Sequence, residues 1–238
     1  MREYALIGDL HSQIGPLRAV IRYCETQGLF PVFLGDIFDS RCAHSDSVSV
    51  YFTLREMQEK GDAVVLRSNH QDKLERYIRG AATHTPPELL RTVDEMEAGG
   101  VYMWSLGQWL ESLPHGFCFR KGESEYRCAH ACFPSWLDVP EYDSHCEVYP
   151  ESKQAKSLMM YGPSHKEGRG RVKWWESASS RKFIRVAGHY HVVHTDEKSL
   201  VLDAGCGGTE RSWFCNEPAA LVLWDTRKEQ LVEFGVWE

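Results

Sequence analysis

The chain has 238 residues, 42% of them hydrophobic and 26% charged, an ordinary balance for a soluble globular protein and enough to bury a sizeable core, read here as one domain over 1–238. Its formal net charge is -7, which excludes bulk binding of nucleic acid by phosphate neutralisation, and no apolar run approaches the ~20 residues of a membrane span. The eight cysteines form no Cys-x-x-Cys pair, so reduced thiols are expected, and the amino-terminal MREYALIGDL reads as a first strand rather than a leader, which points to the cytoplasm.

In chain order, EYALIG reads as a short buried strand, GPLRAVIRYCETQG as an amphipathic helix closed by Gly28, and PVFLG as a second strand. DSVSVYFTLREMQEKG is a second helix ending at Gly61, AVVLRS a third strand, and QDKLERYI a helix that follows it without a spacer. This β-α-β-α-β order at short spacing is the pattern of a parallel sheet with crossover helices. Residues 85–113 look helical and are broken at Gly99-Gly100, as a helical insertion flanking the functional site. The runs GFCF, YRCAHA, FIRVAG, SLVLDAG, AALVLWD and QLVEFG suggest a second, more mixed sheet. The polar, glycine-bearing segment 139–180 reads as loop.

Chemically versatile side chains cluster where the strands end. Asp9 and His11 follow the first strand, Asp36 and Asp39 the second, and Asn69 and His70 the third; His130 follows YRCA, and His189 and His191 follow IRVAG. Strand ends of an α/β sheet open onto one crevice, so five of them bring carboxylate, amide and imidazole together. Taken singly, an Asp-x-His past a strand is more often a turn or a helix cap; five in this order point to a site. Gly8, Gly35 and Gly188 leave room for sharp turns and close backbone approach there. Mixed oxygen and imidazole donors suit Mn, Fe or Zn better than Mg, and there are enough for two ions sharing one carboxylate.

The set Gly-Asp-x-His, Gly-Asp-x-x-Asp, Asn-His, a later His and Gly-His-x-His resembles the calcineurin-like metallophosphoesterases. The spacing of its first three blocks is similar to the phosphoprotein phosphatase branch, including the lambda-phage type. SNHQDKLERYIRG, MMYGPSHKEGRGRVKWW and SLVLDAGCGG are similar to blocks of bacterial diadenosine-tetraphosphatase-like enzymes and of polynucleotide kinase-phosphatase. The resemblance implies a four-layer αββα sandwich and two divalent ions, with Mn foremost and Fe, Zn or Ni as others. Asp9, His11, Asp36 and His191 would hold the first ion, and Asp36, Asn69, His130 and His189 the second. A hydroxide bridging the ions would attack phosphorus in line, with His70, oriented by Asp39, as the acid for the leaving oxygen. The substrate would be a phosphomonoester, as in serine/threonine phosphatases, with a dinucleoside polyphosphate or a nucleic-acid end phosphate as the alternative.

The sequence also departs from that pattern. Ser12 and Ser68 stand where glycines are usual, which calls for backbone without positive φ at both. Arg41 is displaced by one residue from the usual phosphate-clamping arginine. Arg169 and Arg171 could supply the guanidinium instead, or be solvated loop residues. The departures leave open a metal-binding scaffold without catalysis, against which the pair His70 and Asp39 stands. Cys128 and Cys132 read as core, Trp174, Trp175 and Tyr161 as packing or a base-stacking surface, and His44, His84, His115, His145, His165 and His194 as surface or loop.

Overall fold

Short apolar strands with both faces covered build the molecule. A computed structural model describes residues 2–41, 45–81, 83–164, 172–176, 183–206 and 220–235. In β1 (Tyr4–Ile7) every residue is buried, because the period-two alternation sends Tyr4 and Leu6 to one core and Ala5 and Ile7 to another. β2 (Phe30–Phe33) and β3 (Val64–Val65) follow in parallel to β1, connected by α1 (Ile14–Gln27) and α2 (Ser47–Glu59). Helix α3 (Asn69–Ile78) follows β3 after three intervening residues, capped by Ser68, whose side chain accepts from Gln71 N–H.

α4 (Pro87–Ala98) and α5 (Met103–Ser112) pack on the same side, α4 against α2 and α5 against α3. α4 opens at Pro87, which lacks the amide hydrogen that a helix start leaves unpaired. Leu89, Val93 and Met96 on α4 join Leu17, Phe33, Leu54 and Leu106 in the core between the first sheet and its helices.

The second sheet contains β4 (Gly116–Lys121), β5 (Ser124–Ala129), β6 (His145–Val148), β7 (Ile184–Ala187), β8 (Val193–Thr195) and β9 (Ser199–Leu202), in the order β6-β4-β5-β7-β9-β8. Its inner residues Phe117, Phe119, Tyr126, Cys128, Val186 and Leu202 meet Tyr4, Leu6, Val32 and Val222 in the core between the sheets. α6 (Lys153–Tyr161) covers the outer face, where Met159 packs with Cys118, Phe133 and Val148. Helices, two sheets and helices thus stack as four layers. No helix among the described residues is long and apolar enough to cross a membrane.

Two local expectations change. β10 (Ala220–Asp225) and β11 (Gln230–Gly235) belong to the first sheet, whose order is β11-β10-β1-β2-β3, and not to the second. β10 runs antiparallel to β1, pairing Ala5 with Asp225; an apolar run announces a strand, but its choice of sheet depends on which edge is open. The segment 139–180 also carries β6 and α6, the latter capped by Ser152 and anchored by Ala155, Met159 and Met160 alone, too few apolar positions to stand out in a polar stretch.

Candidate metal centre

The sheet ends bring the polar side chains together, and the backbone there is strained. His11, Ser12, Asp36, Asp39, His189 and His191 all have positive φ, between 42° and 71°; among the described residues only Glu229 shares this among non-glycines. Each such residue costs about 1–3 kcal/mol, so the surroundings must hold it. Leu10 and His11 N–H both donate to Asp36 carbonyl oxygen, at 3.1 and 2.8 Å, and Ser12 N–H donates to Ile37 O at 2.8 Å. His189 N–H donates to the Asp9 carboxylate at 3.0 Å and His191 N–H to Asp203 Oδ2 at 2.6 Å. Gly188 packs so closely on Asp9 that a side chain there would overlap its carboxylate. Ser12, at φ 60°, does not avoid the left-handed region; its hydroxyl instead meets that of Ser47 at 2.9 Å. Ser68 is extended, at φ -123°.

Asp36, His130 and His189 bring one donor atom each within 4.8 Å of one another. His130 Nδ1 lies 3.1 Å from Leu34 O, and only an N–H can meet a carbonyl, so the neutral ring keeps its lone pair on Nε2. That lone pair faces Asn69 Oδ1 at 2.8 Å, His189 Nδ1 at 2.9 Å and Asp36 Oδ1 at 3.4 Å. A proton on His189 Nδ1 satisfies one of these contacts. Asp36 Oδ1, though buried, has no hydrogen-bond partner. Convergent lone pairs around an orphaned carboxylate oxygen are what a cation requires and what a packed polar core avoids.

Asp9, His11 and Asp36 form a second group within 4.8 Å. His11 Nδ1 meets Phe38 O at 2.9 Å and Asp39 O at 3.2 Å, which again fixes the N–H there and leaves Nε2 toward Asp36 Oδ2, 4.0 Å away. Asp36 belongs to both groups. His191 joins neither; its Nδ1 lies 3.5 Å from Asp203 Oδ2, and its side chain is 36% exposed. Asp203, fully buried at the end of β9, thus holds both the backbone and the ring of His191, and also accepts from Gly205 N–H.

The electrostatics match this crowding of buried carboxylates. Burial first, then the Asp203 and Asp36 carboxylates, push Asp9 well above the usual carboxylate range. Burial would raise Asp36 as well, but wherever the surrounding His130, His70 and His11 rings carry a second proton their charge outweighs burial and holds it well below. Burial lowers His11, against the pull of Asp36. The donor set therefore suits divalent cations in chemistry and in charge.

His70 stands beside the shared carboxylate, its Nε2 3.8 Å from Asp36 Oδ2 and its Nδ1 2.7 Å from Asp39 Oδ2. Burial opposes its protonation, but Asp36 and then Asp39 prevail and raise its pKa. Asp39 Oδ1 in turn accepts from Thr92 Oγ1 at 2.9 Å. Arg41 is mostly exposed and pairs with Glu88 at 3.6 Å. Arg169 and Arg171 lie outside the described residues. Of the remaining sequence candidates, Cys128, Cys132 and Trp174 are buried, and Trp174 Nε1 donates to Ala131 O at 3.0 Å, which makes it packing. His115 is buried rather than at the surface, and its pKa falls to about 4 through burial and the nearby Arg67.

Asp203 and Thr92 escaped the sequence reading. Asp203 carried a signal, a carboxylate after an apolar strand and two residues before a glycine, as Asp36 and Asp9 follow theirs. Thr92 carried none, being one polar residue inside an amphipathic helix.

No family model matches the chain, and no curated protein matches it. Solved structures do. A candidate diadenosine tetraphosphatase is 15% identical and aligns over 100% of this chain and 95% of its own at a TM-score of 0.63. A cold-active protein-tyrosine phosphatase of a psychrophilic Shewanella species is 14% identical over 99% of this chain and 78% of its own, at 0.54. A protein serine/threonine phosphatase from Saccharomyces cerevisiae is 14% identical over 98% and 79%, also at 0.54. The fold is that of the calcineurin-like metallophosphoesterases.

Proposed function

We propose that the protein is a two-metal phosphoesterase that hydrolyses phosphomonoesters, in the manner of serine/threonine phosphatases. The observation that carries this is the lone pair of His130 Nε2 facing Asn69 Oδ1, His189 Nδ1 and the partnerless Asp36 Oδ1. Asp9, His11, Asp36 and His191 would hold one cation and Asp36, Asn69, His130 and His189 the other, with Mn the favoured metal. When bound, the cations supply positive charge that polarises the phosphoryl group and acidifies the attacking water. The chain's own part is to fix geometry and move a proton. Asp36, shared by both donor groups, sets their separation. His70 keeps its Nδ1–H on Asp39 and gives the proton of Nε2 to the leaving oxygen, a task helped by its raised pKa. Arg41, Arg169 and Arg171 are the proposed phosphate contacts, and the cytoplasm the proposed compartment.

A second reading, hydrolysis of a dinucleoside polyphosphate or a nucleic-acid end phosphate, is favoured by Lys73. It lies three residues beyond His70 on α3, hence on the same face, and its positive charge acts on His70. A cation beside the leaving-group acid suits a leaving group that is itself an anion.

The test is phosphate release from p-nitrophenyl phosphate by metal-stripped protein, with Mn, Ni, Zn, Mg or nothing added, beside Asp36→Asn. The expected result is turnover that needs metal and falls more than ~100-fold in the mutant, beyond the loss typical of a residue that only supports a ligand. Two metals bound without turnover on any phosphoester would leave a silent scaffold; no metal bound would end the proposal. Comparing phosphopeptide, diadenosine tetraphosphate and phosphorylated RNA ends then separates the two readings.

A further inference from the structure

We propose that Thr92 is a positioning residue: through its hydroxyl, α4 fixes the carboxylate that orients His70. The inference rests on the assignment of His70 as leaving-group acid. Thr92 lies on the helical pair that packs beside the first sheet, far in sequence from every strand-end motif. Its hydroxyl makes two contacts with one residue. Oγ1 donates to Asp39 Oδ1 at 2.9 Å and accepts from Asp39 N–H at 3.2 Å. A hydroxyl has one proton and two lone pairs, so both contacts can hold at once. The Glu88 carbonyl, 3.1 Å from the same oxygen, competes for the proton, but the carboxylate is charged and takes it.

The clamp matters because Asp39 sits at φ 65°, where a non-glycine residue must be held in place. With its Oδ1 bound to Thr92, Oδ2 is left for His70 Nδ1 at 2.7 Å. Thr92 and Asp39 are buried to 1% and 2% exposure, which keeps water from replacing the hydroxyl. α4 is itself anchored on the loop that carries Asp39. Glu88 meets Arg41, and Glu95 accepts from Ser45 Oγ and Ser47 N–H, so positions 88, 92 and 95, one face of the helix, all grip that loop. Leu89, Val93 and Met96 fix the helix from the core side.

The experiment compares Thr92→Val, which keeps the shape and removes the hydroxyl, with Thr92→Ser, which keeps the hydroxyl, in the full-length Mn-loaded protein. Turnover is measured on p-nitrophenyl phosphate, whose leaving group needs little protonation, and on phenyl phosphate, whose leaving group needs more. His70→Ala and His70→Ala with Thr92→Val complete a cycle, and bound Mn is counted by mass spectrometry. If Thr92→Val does not fold, Thr92→Ala takes its place. The expected result is a ~10- to 100-fold loss on phenyl phosphate for the variant without the hydroxyl, a much smaller loss on p-nitrophenyl phosphate, recovery in Thr92→Ser, and Mn content unchanged. The double variant should be no worse than His70→Ala. Equal losses on both substrates, additivity in the cycle, or no loss at all would overturn the role of Thr92. A His70→Ala enzyme blind to the leaving group would instead remove the assignment of His70, whatever Thr92 does.

Discussion

The two donor groups that meet at Asp36 differ in how far they are built. Around His130 the atoms already converge, with Asn69 Oδ1 and His189 Nδ1 at 2.8 and 2.9 Å from Nε2. Around His11 they do not: Nε2 is 4.0 Å from Asp36 Oδ2, and the ring of His191 rests by Asp203 rather than in the group. The buried donors on the second-sheet side, His130 and His189, are held by Leu34 O and by Asp9, whereas His191 is partly exposed. Preorganised donors bind tightly because little reorganisation is left to oppose binding. The group around His130 should therefore take its ion first, and the group around His11 should complete itself only as His191 adjusts.

Removing one histidine from each side is the strongest way to break this comparison. His130→Ala should abolish the tight binding event and leave less than one Mn per chain after gel filtration, with turnover lost along with it. His191→Ala should retain one Mn tightly and lose only the weaker event, with affinity at that site down by at least ~10-fold. Calorimetric titration of metal-stripped protein would show two steps in the parent and one in His191→Ala. A variant of His191 that lost the tight step would reverse the order of the two groups.

Acidity sharpens the same contrast. Asp9 belongs to the looser group, and its pKa is raised well above 3.8 by burial, Asp203 and Asp36. Between the ordinary carboxylate pKa and that raised value, the folded metal-free chain therefore holds a proton that the unfolded chain has released. Its contribution to stability is fully present below the ordinary carboxylate pKa and is lost as pH rises through the raised value. A cation held there would displace that proton and take over its role. Asp36, lowered instead, acts only below 3.8, where its stabilising charge is lost as pH falls through the depressed value. Above the ordinary carboxylate pKa the thermal stabilisation given by a fixed Mn concentration should thus grow with pH until the raised value is passed. Melting temperatures with and without Mn across that range check it, and a gap that shrank with rising pH would contradict the assignment.

How much of this was legible in the sequence depended on how locally each feature is specified. Asp9, His11, Asp36, Asn69, His130 and His189 could be picked out because each directly follows an apolar strand, so chain order alone brings them to one sheet end. The parallel first sheet followed from the alternation of strands and helices, whereas the four layers were implied only by the resemblance to the calcineurin-like fold. Thr92 could not be found that way: its meaning comes from how α4 docks on the loop after β2, a tertiary fact with no local trace. β10 and β11 were visible as strands but not as members of the sheet of β1, since the antiparallel partner β10 leaves no mark on β1 itself. α6 was hidden because Ala155, Met159 and Met160 are its only buried residues.

Ser12 gives the smallest expected effect and tests whether the looser side of the site relies on its own backbone strain. Its positive φ of 60° favours glycine, which adopts that conformation without the penalty of a side chain, but glycine also loses backbone entropy on folding and would forfeit the hydroxyl contact to Ser47. These effects oppose one another at about 1 kcal/mol each. Ser12→Gly should therefore shift chemical denaturation by less than about 1 kcal/mol, with both Mn sites intact. If the variant instead lost the weaker Mn step alone, the Ser12–Ser47 contact would be part of what sets His11 in place, and the difference between the two donor groups would lie in the β1 loop as much as in His191.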